Sequence, residues 1–136
     1  MRKRVAVLVT AVVVWAPLAF AQAPPAPAEP ADLVLEQLAA LRAHDFAAAY
    51  AHASAELRRH FSRGEFEWMV KRAHPEVASS TSALVLRTRE AEGYVYVTVR
   101  VQGRNGRSAE ALYELVREGD GWKVNAVSSR PGEPLL

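Results

Sequence analysis

Four histidines, a few glutamates and a set of aromatic side chains are what this 136-residue sequence offers to chemistry. His44, His52, His60 and His74 all fall in the part of the chain with helical periodicity. Steps of eight residues rotate successive side chains by about 80° on a helix, so the first three do not share a face. There is no HExxH, and His44-Asp45 is the one close pairing of histidine with a carboxylate, so no metal site is expected. His44-Asp45 would suit a general base with an orienting carboxylate. Neighbouring side chains point in different directions, however, and Asp45 reads better as a helix cap. Glu110 and Glu114 alternate with Leu112 on a candidate strand. Buried with a raised pKa, one of them would serve as a base, and this is the single enzymatic seed. Both are expected at a solvated edge, beside valines rather than on the tyrosine-rich face. Serine elbows, glycine-rich phosphate loops and cysteine are absent. No catalytic residue and no cofactor is therefore assigned.

The aromatic residues point to binding. Tyr94, Tyr96, Tyr113 and Trp122 would line a concave apolar pocket, with hydroxyls to orient a ligand; their ordinary role is core and cross-strand packing. Trp68 lies about 200° around its helix from Phe66, off the apolar stripe, where it packs on a neighbouring helix or marks a contact surface. The candidate ligand-binding residues are Tyr50, Trp68, Tyr96, Tyr113 and Trp122. Arg58, Arg59, Arg63, Lys71 and Arg72 form the one basic concentration and read as a solvated helix face.

The elements that must position these residues follow an export signal. Arg2-Lys3-Arg4, an apolar run from Val5 to Phe20, and Ala19-Phe20-Ala21 are the three parts of a signal-peptidase substrate. The run is short for a spanning helix and contains Pro17, so cleavage is expected after Ala21, with a periplasmic or secreted destination and no membrane contact other than the signal peptide before cleavage. Arginine far outnumbers lysine (Lys3, Lys71 and Lys123 only), as in a GC-rich bacterial coding sequence. Three of the 17 basic residues leave with the signal, so 14 face 15 acidic ones in the mature chain, a charge of about −1. Nucleic-acid binding needs a clustered positive surface and is not expected. Residues 22–31 read as a Pro/Ala-rich disordered spacer, 32–129 as one domain and 130–136 as a flexible tail.

Asp32 is a plausible N-cap for a helix with the stripe Val34, Leu35, Leu38 and Leu41. Asp45 caps a second helix carrying Phe46, Ala49, Tyr50 and Ala53. Ser54 restarts a turn with Leu57 and Phe61. Ser62-Arg63-Gly64-Glu65 matches the capping box and opens a helix with Phe66, Met69, Val70 and Ala73, closed at His74-Pro75. From Thr81 the period becomes two, and residues 83–86, 94–99, 111–116 and 122–127 read as strands. They are separated by Glu92-Gly93, Asn105-Gly106 and Asp120-Gly121, and such short links allow only antiparallel neighbours. The fold class is α+β, two or three helices on a four-stranded meander. With a two-residue turn at Asn105-Gly106, Tyr94, Tyr96, Thr98 and Arg100 share a face with Tyr113 and Leu115, and Val95, Val97, Val99, Val101, Leu112 and Val116 occupy the other. Both faces are then substantially apolar, so a homodimer, or another partner, is expected over the uncovered one.

These pieces in this order resemble the family of exported bacterial proteins known as domain of unknown function 4864, related in shape to the nuclear transport factor 2 / cystatin-like α+β cone. The resemblance runs from about Leu33 to Val127 and rests on Gln37-Leu38-Ala39-Ala40-Leu41-Arg42, Asp45-Phe46-Ala47-Ala48-Ala49-Tyr50, Ala53-Ser54, Phe61, Glu65-Phe66-Glu67-Trp68-Met69-Val70-Lys71, His74-Pro75-Glu76-Val77 and Gly121-Trp122-Lys123-Val124-Asn125. It implies a bent sheet around a helix with a pocket at the open end, and supplies no activity. The expected function is a non-enzymatic module binding a small apolar ligand or a protein partner; the alternative is a pocket enzyme of isomerase or dehydratase type with a Glu or His base.

Overall fold

A computed structural model describes residues 29–132 of the chain. The expected signal peptide, its expected cleavage at Ala21 and most of the expected spacer lie outside the described residues. Five helices come first: α1 Pro30–Arg42, α2 Phe46–Ala51, α3 Ala55–His60, α4 Arg63–Ala73 and α5 Pro75–Ala78. An antiparallel sheet follows, β1 Ser80–Ala91, β2 Tyr94–Gly103, β3 Ser108–Glu118 and β4 Gly121–Pro131, its strands neighbouring in chain order. This is the α+β meander expected from the change of period, with two of the helices shorter than the pattern resolves.

The ends of the helices follow the capping chemistry. Asp45 accepts the Ala48 amide at 3.0 Å, Ser54 that of Leu57 at 3.0 Å, and Ser62 that of Glu65 at 3.2 Å. Ser62 also donates its hydroxyl to Glu65 Oε1 at 3.0 Å, a variant of the expected box. Asp32 is not a cap. The helix opens earlier, at Pro30, where a missing N–H costs nothing, and Asp32 sits in the first turn at the positive end of the helix dipole. The buried stripe of α1 is Leu33, Val34, Gln37, Leu38 and Leu41, whereas Leu35 faces outward. Pro75 ends α4 and at once starts α5. Strand β4 likewise takes up Arg130 and Pro131 from the segment read as a tail.

The sheet departs from expectation at one place, with consequences for every side chain of β3. Asn105-Gly106 is not a two-residue turn. The Gly103 amide donates to Arg107 O at 2.8 Å and the Gly106 amide to Gly103 O at 3.0 Å, closing a loop of three residues, 104–106, with Gly106 at φ 80°. Asn105 Oδ1 accepts the Arg107 amide at 2.9 Å. A Cβ on Gly103 would meet Asn105 Oδ1 at 2.8 Å and Glu76 Cα at 3.1 Å, so that corner also needs glycine. The extra loop residue shifts the register by one, and a shift of one exchanges the faces of a strand. Val95 pairs with Leu115, Val97 with Tyr113, Val99 with Ala111 and Val101 with Ala109. All eight are buried, against the helices. The sequence-based grouping of Tyr113 and Leu115 with Tyr94 and Tyr96 is thus corrected. A smaller correction concerns the last hairpin, whose turn is Gly119-Asp120, with Gly119 at φ 58° and Glu118 paired to Gly121.

The outer face now carries what β3 does not bury. Arg100 reaches Glu110 at 3.2 Å, Arg130 reaches the same carboxylate at 2.6 Å, and Tyr96 donates to Glu114 at 3.2 Å. Arg130 and then Arg100 hold the Glu110 carboxyl below the usual range. The outer face is therefore mixed, with Leu84 and Leu112 exposed among charged pairs. The expected grouping of Leu112 and Val116 with the valines of β2 does not hold: they alternate with the buried residues of β3 and share the outer face with Glu110 and Glu114.

Candidate functional site

On the covered side, helices and sheet do not close completely. An apolar cavity of about 240 Å³ lies between α1, α3, α4 and α5 on one side and β3 and β4 on the other. Its floor is buried: Leu41, Phe66, Val70, Val77, Tyr113 and Val124. Leu57, Phe61, Met69, Ala126 and Val127 also line it and are partly or fully exposed, so they mark the mouth.

Four polar side chains belong to the lining, and each is held differently. Gln37 is buried on the stripe of α1 and donates from Nε2 to Ala49 O at 3.1 Å, tying α1 to α2. Asn125 occupies the bulge where the pairing of Glu114 with Ala126 passes to that of Leu115 with Val124. Its Oδ1 accepts the Ser54 hydroxyl at 2.8 Å and its Nδ2 donates to Glu114 at 3.0 Å. His74, the C-cap of α4, places Nδ1 2.6 Å from Ser129 Oγ, and desolvation lowers its pKa, so the ring is neutral near pH 7. Tyr113 is completely buried, and its hydroxyl has no hydrogen-bond partner in the described structure. Burial pushes its phenol far above the usual range, so the group is always a protonated donor. Among the described residues no carboxylate lines the cavity, and Glu110 and Glu114 are on the other face of the sheet.

The wall beneath the mouth is fastened by the link between α2 and α3. Ala53 bridges Val124, with the Ser54 amide on Val124 O and the Val124 amide on His52 O, both at 2.8 Å. Ser54 thereby caps α3, pins β4 and positions Asn125 at once. Replacing it, Ser54→Ala, is expected to cost about 2 kcal/mol in denaturant unfolding, combining a lost cap with a half-buried Asn125 amide oxygen left unpaired. A change below about 0.5 kcal/mol would show that the link is not structural.

Of the five candidate ligand-binding residues, the structure brings one into this cavity, Tyr113. Tyr50 stands behind it: its ring packs on Phe66 at 5.5 Å, and its hydroxyl donates to Phe61 O at 2.6 Å, so it braces two lining residues. Trp122 lies at the other end of the sheet, under Arg117 at 4.8 Å and near Pro30. Tyr96 is on the outer face, under Arg89 at 5.4 Å. Trp68 is 64% exposed on α4, with Arg72 at 5.4 Å over its ring. The lining residues that sequence reasoning passed over are Gln37, His74 and Asn125. A faint signal existed for two of them, since Gln37 interrupts an apolar helical stripe and Asn125 an apolar strand. Among the described residues no group of three metal-ligating side chains occurs, and no helix is long and apolar enough to cross a membrane.

Comparison with other proteins adds a family and little else. No curated protein matches the chain. A de novo designed β-sheet protein solved by solution NMR is similar at 18% identity and a TM-score of 0.35, over 61% of this chain and 92% of that one, too slight a likeness to carry an argument. The family model for the domain of unknown function DUF4864, by contrast, matches residues 25–133, and so takes in all five helices, the whole meander and every residue of the cavity. The chain belongs to the DUF4864 family, a domain of unknown function.

Proposed function

We propose that this domain is a non-enzymatic binding module which, after export, holds a small apolar molecule bearing one hydrogen-bond acceptor. The observation that carries the reading is the Tyr113 hydroxyl, a fully buried donor without a partner in the wall of an apolar cavity. A buried unpaired hydroxyl costs about 1–3 kcal/mol, and an acceptor brought in by a ligand recovers that cost. An apolar void of about 150 Å³ takes up benzene, so 240 Å³ suits a ligand of about ten heavy atoms. Among the described residues the lining has no cation to neutralise an anionic group, which favours a neutral acceptor such as a ketone. An isomerase or dehydratase role receives less support, because among the described residues His74 is the only titratable base in the lining and hydrogen-bonds a serine rather than a carboxylate.

Acetophenone is a suitable probe, compared with ethylbenzene by titration calorimetry. Saturable binding of one acetophenone per chain is expected, and Met69→Trp, which fills the mouth, should abolish it. Absence of saturable binding of either compound, or binding indifferent to the filled mouth, would refute the reading.

A further inference from the structure

The helical surface around the mouth of the cavity has a composition that ligand binding alone leaves unexplained. Trp68 is the most exposed large apolar residue among those described. On α4 it lies about 100° from Met69, and Arg72 about 60° from it, so both occupy the flank next to the lip of the cavity. On the opposite lip, Arg58 and Arg59 adjoin Leu57, and Arg63 follows Phe61 by two residues. Among the described residues, Arg58, Arg59 and Arg63 have exposed side chains without a carboxylate partner, and Arg72 lies over the Trp68 ring without one. The acidic residues of α3 and α4 are otherwise occupied or fewer. Glu67 pairs with Lys71 at 2.8 Å and Glu65 is engaged by Ser62, which leaves Glu56. An exposed indole beside unpaired guanidinium groups matches the interface of an anionic bilayer, where tryptophan partitions to the headgroup level and each arginine is drawn by the surface potential.

We infer that the α3–α4 surface docks on anionic lipid headgroups, with Trp68 entering the interface and the mouth of the cavity turned toward the bilayer. The inference rests on the cavity holding an apolar ligand, since such a molecule dissolves in the bilayer and would enter from there. It also departs from the sequence-based expectation that the membrane is met only through residues 1–21. A bilayer is favoured over an acidic protein because the arginines are spread over two helices around an apolar opening, not gathered into a cleft that would fix the position of a carboxylate.

The chain has three tryptophans, Trp15, Trp68 and Trp122. Full-length Trp15→Phe/Trp122→Phe leaves Trp68 as the only emitter, and Trp15→Phe/Trp68→Phe leaves Trp122 as the reference. Both are mixed with vesicles of brominated phosphatidylcholine, with and without phosphatidylglycerol. Quenching of Trp68 that requires phosphatidylglycerol, exceeds that of Trp122 several-fold and disappears at high salt is the expected result. Equal quenching of the two tryptophans, or quenching indifferent to lipid charge and salt, would mean that the apolar amino terminus delivers the domain, and would overturn the inference. No quenching would do so as well, and is the outcome if the surface serves an acidic protein. Should Trp122→Phe fail to fold, flotation of Trp68→Ser/Arg72→Ser against the unaltered chain replaces the comparison, with about a tenfold loss expected and an equal affinity decisive against docking. Acetophenone titration without vesicles reads the cavity independently, so loss of docking with intact ketone binding would remove this inference alone.

Discussion

Tyr113→Phe is expected to make the protein more stable and its cavity less selective. The substitution keeps the ring that lines the cavity and removes only a hydroxyl that is buried and unpaired. An isolated buried donor costs about 1–3 kcal/mol, so thermal or denaturant unfolding should show a gain of that size. The same change should weaken acetophenone binding about tenfold, equivalent to one hydrogen bond from a desolvated donor, while leaving ethylbenzene unaffected. The two effects have opposite signs for one reason: the free protein carries an unmet donor that the ligand satisfies. Side chains kept for packing alone do not behave this way, because trimming them costs stability and spares specificity. If Tyr113→Phe destabilises the chain, the hydroxyl already has a partner in the free protein and the proposed ligand loses its anchor. If stability rises and acetophenone affinity is unchanged, the hydroxyl is merely tolerated and the cavity recognises shape.

Removing Leu112 from the middle of β3 is expected to abolish cooperative folding, while removing Arg104 from the loop before it is tolerated. Without Arg104, Gly103 still faces Arg107 around Asn105-Gly106, a two-residue link that leaves the register of β2 and β3 unchanged. A residue lost inside the strand has no such outlet, because side chains alternate between the faces. If the half of β3 next to the loop keeps its pairing, Tyr113 and Leu115 exchange with Glu114 and Val116 on the covered side; if the other half keeps it, Ala109 and Ala111 exchange with Ser108 and Glu110. Either way a carboxylate enters the core, Glu114 away from Tyr96 and Asn125 or Glu110 away from Arg100 and Arg130. A buried unpaired charge costs several kcal/mol, a large part of the whole stability of a domain, about 5–15 kcal/mol. Circular dichroism and a denaturant melt distinguish the two variants. A cooperative transition in the Leu112 deletion near that of the parent chain would show that β3 absorbs a missing residue without exchanging its faces.

The arrangement of the helices was largely legible because their signals are local. Asp45, Ser54 and Ser62 each satisfy an amide three residues ahead, a relation contained within one turn. Asp32 misled for the complementary reason: Pro30 can open a helix without a side-chain cap, and no pattern around Asp32 shows which residue takes that role. Among the candidate binding residues Tyr96, Tyr113 and Trp122 lie on strands, and alternation along a strand gives a partition into two sets without saying which is covered. Tyr96 and Tyr113 were placed together on that basis, and one additional loop residue put them on opposite faces.

By itself, the chain's amino-acid order determined the change from helical to alternating period near Thr81, the antiparallel sense that short links impose, and the family to which the domain belongs. Only the tertiary structure decided which side of β3 is buried, and that residues as distant as Gln37, His74, Tyr113 and Asn125 line one cavity. Capping and periodicity act over a few bonds and can be read from neighbours. A cavity is defined by where packing stops, and that depends on the summed shapes of helices and strands brought together from across the chain.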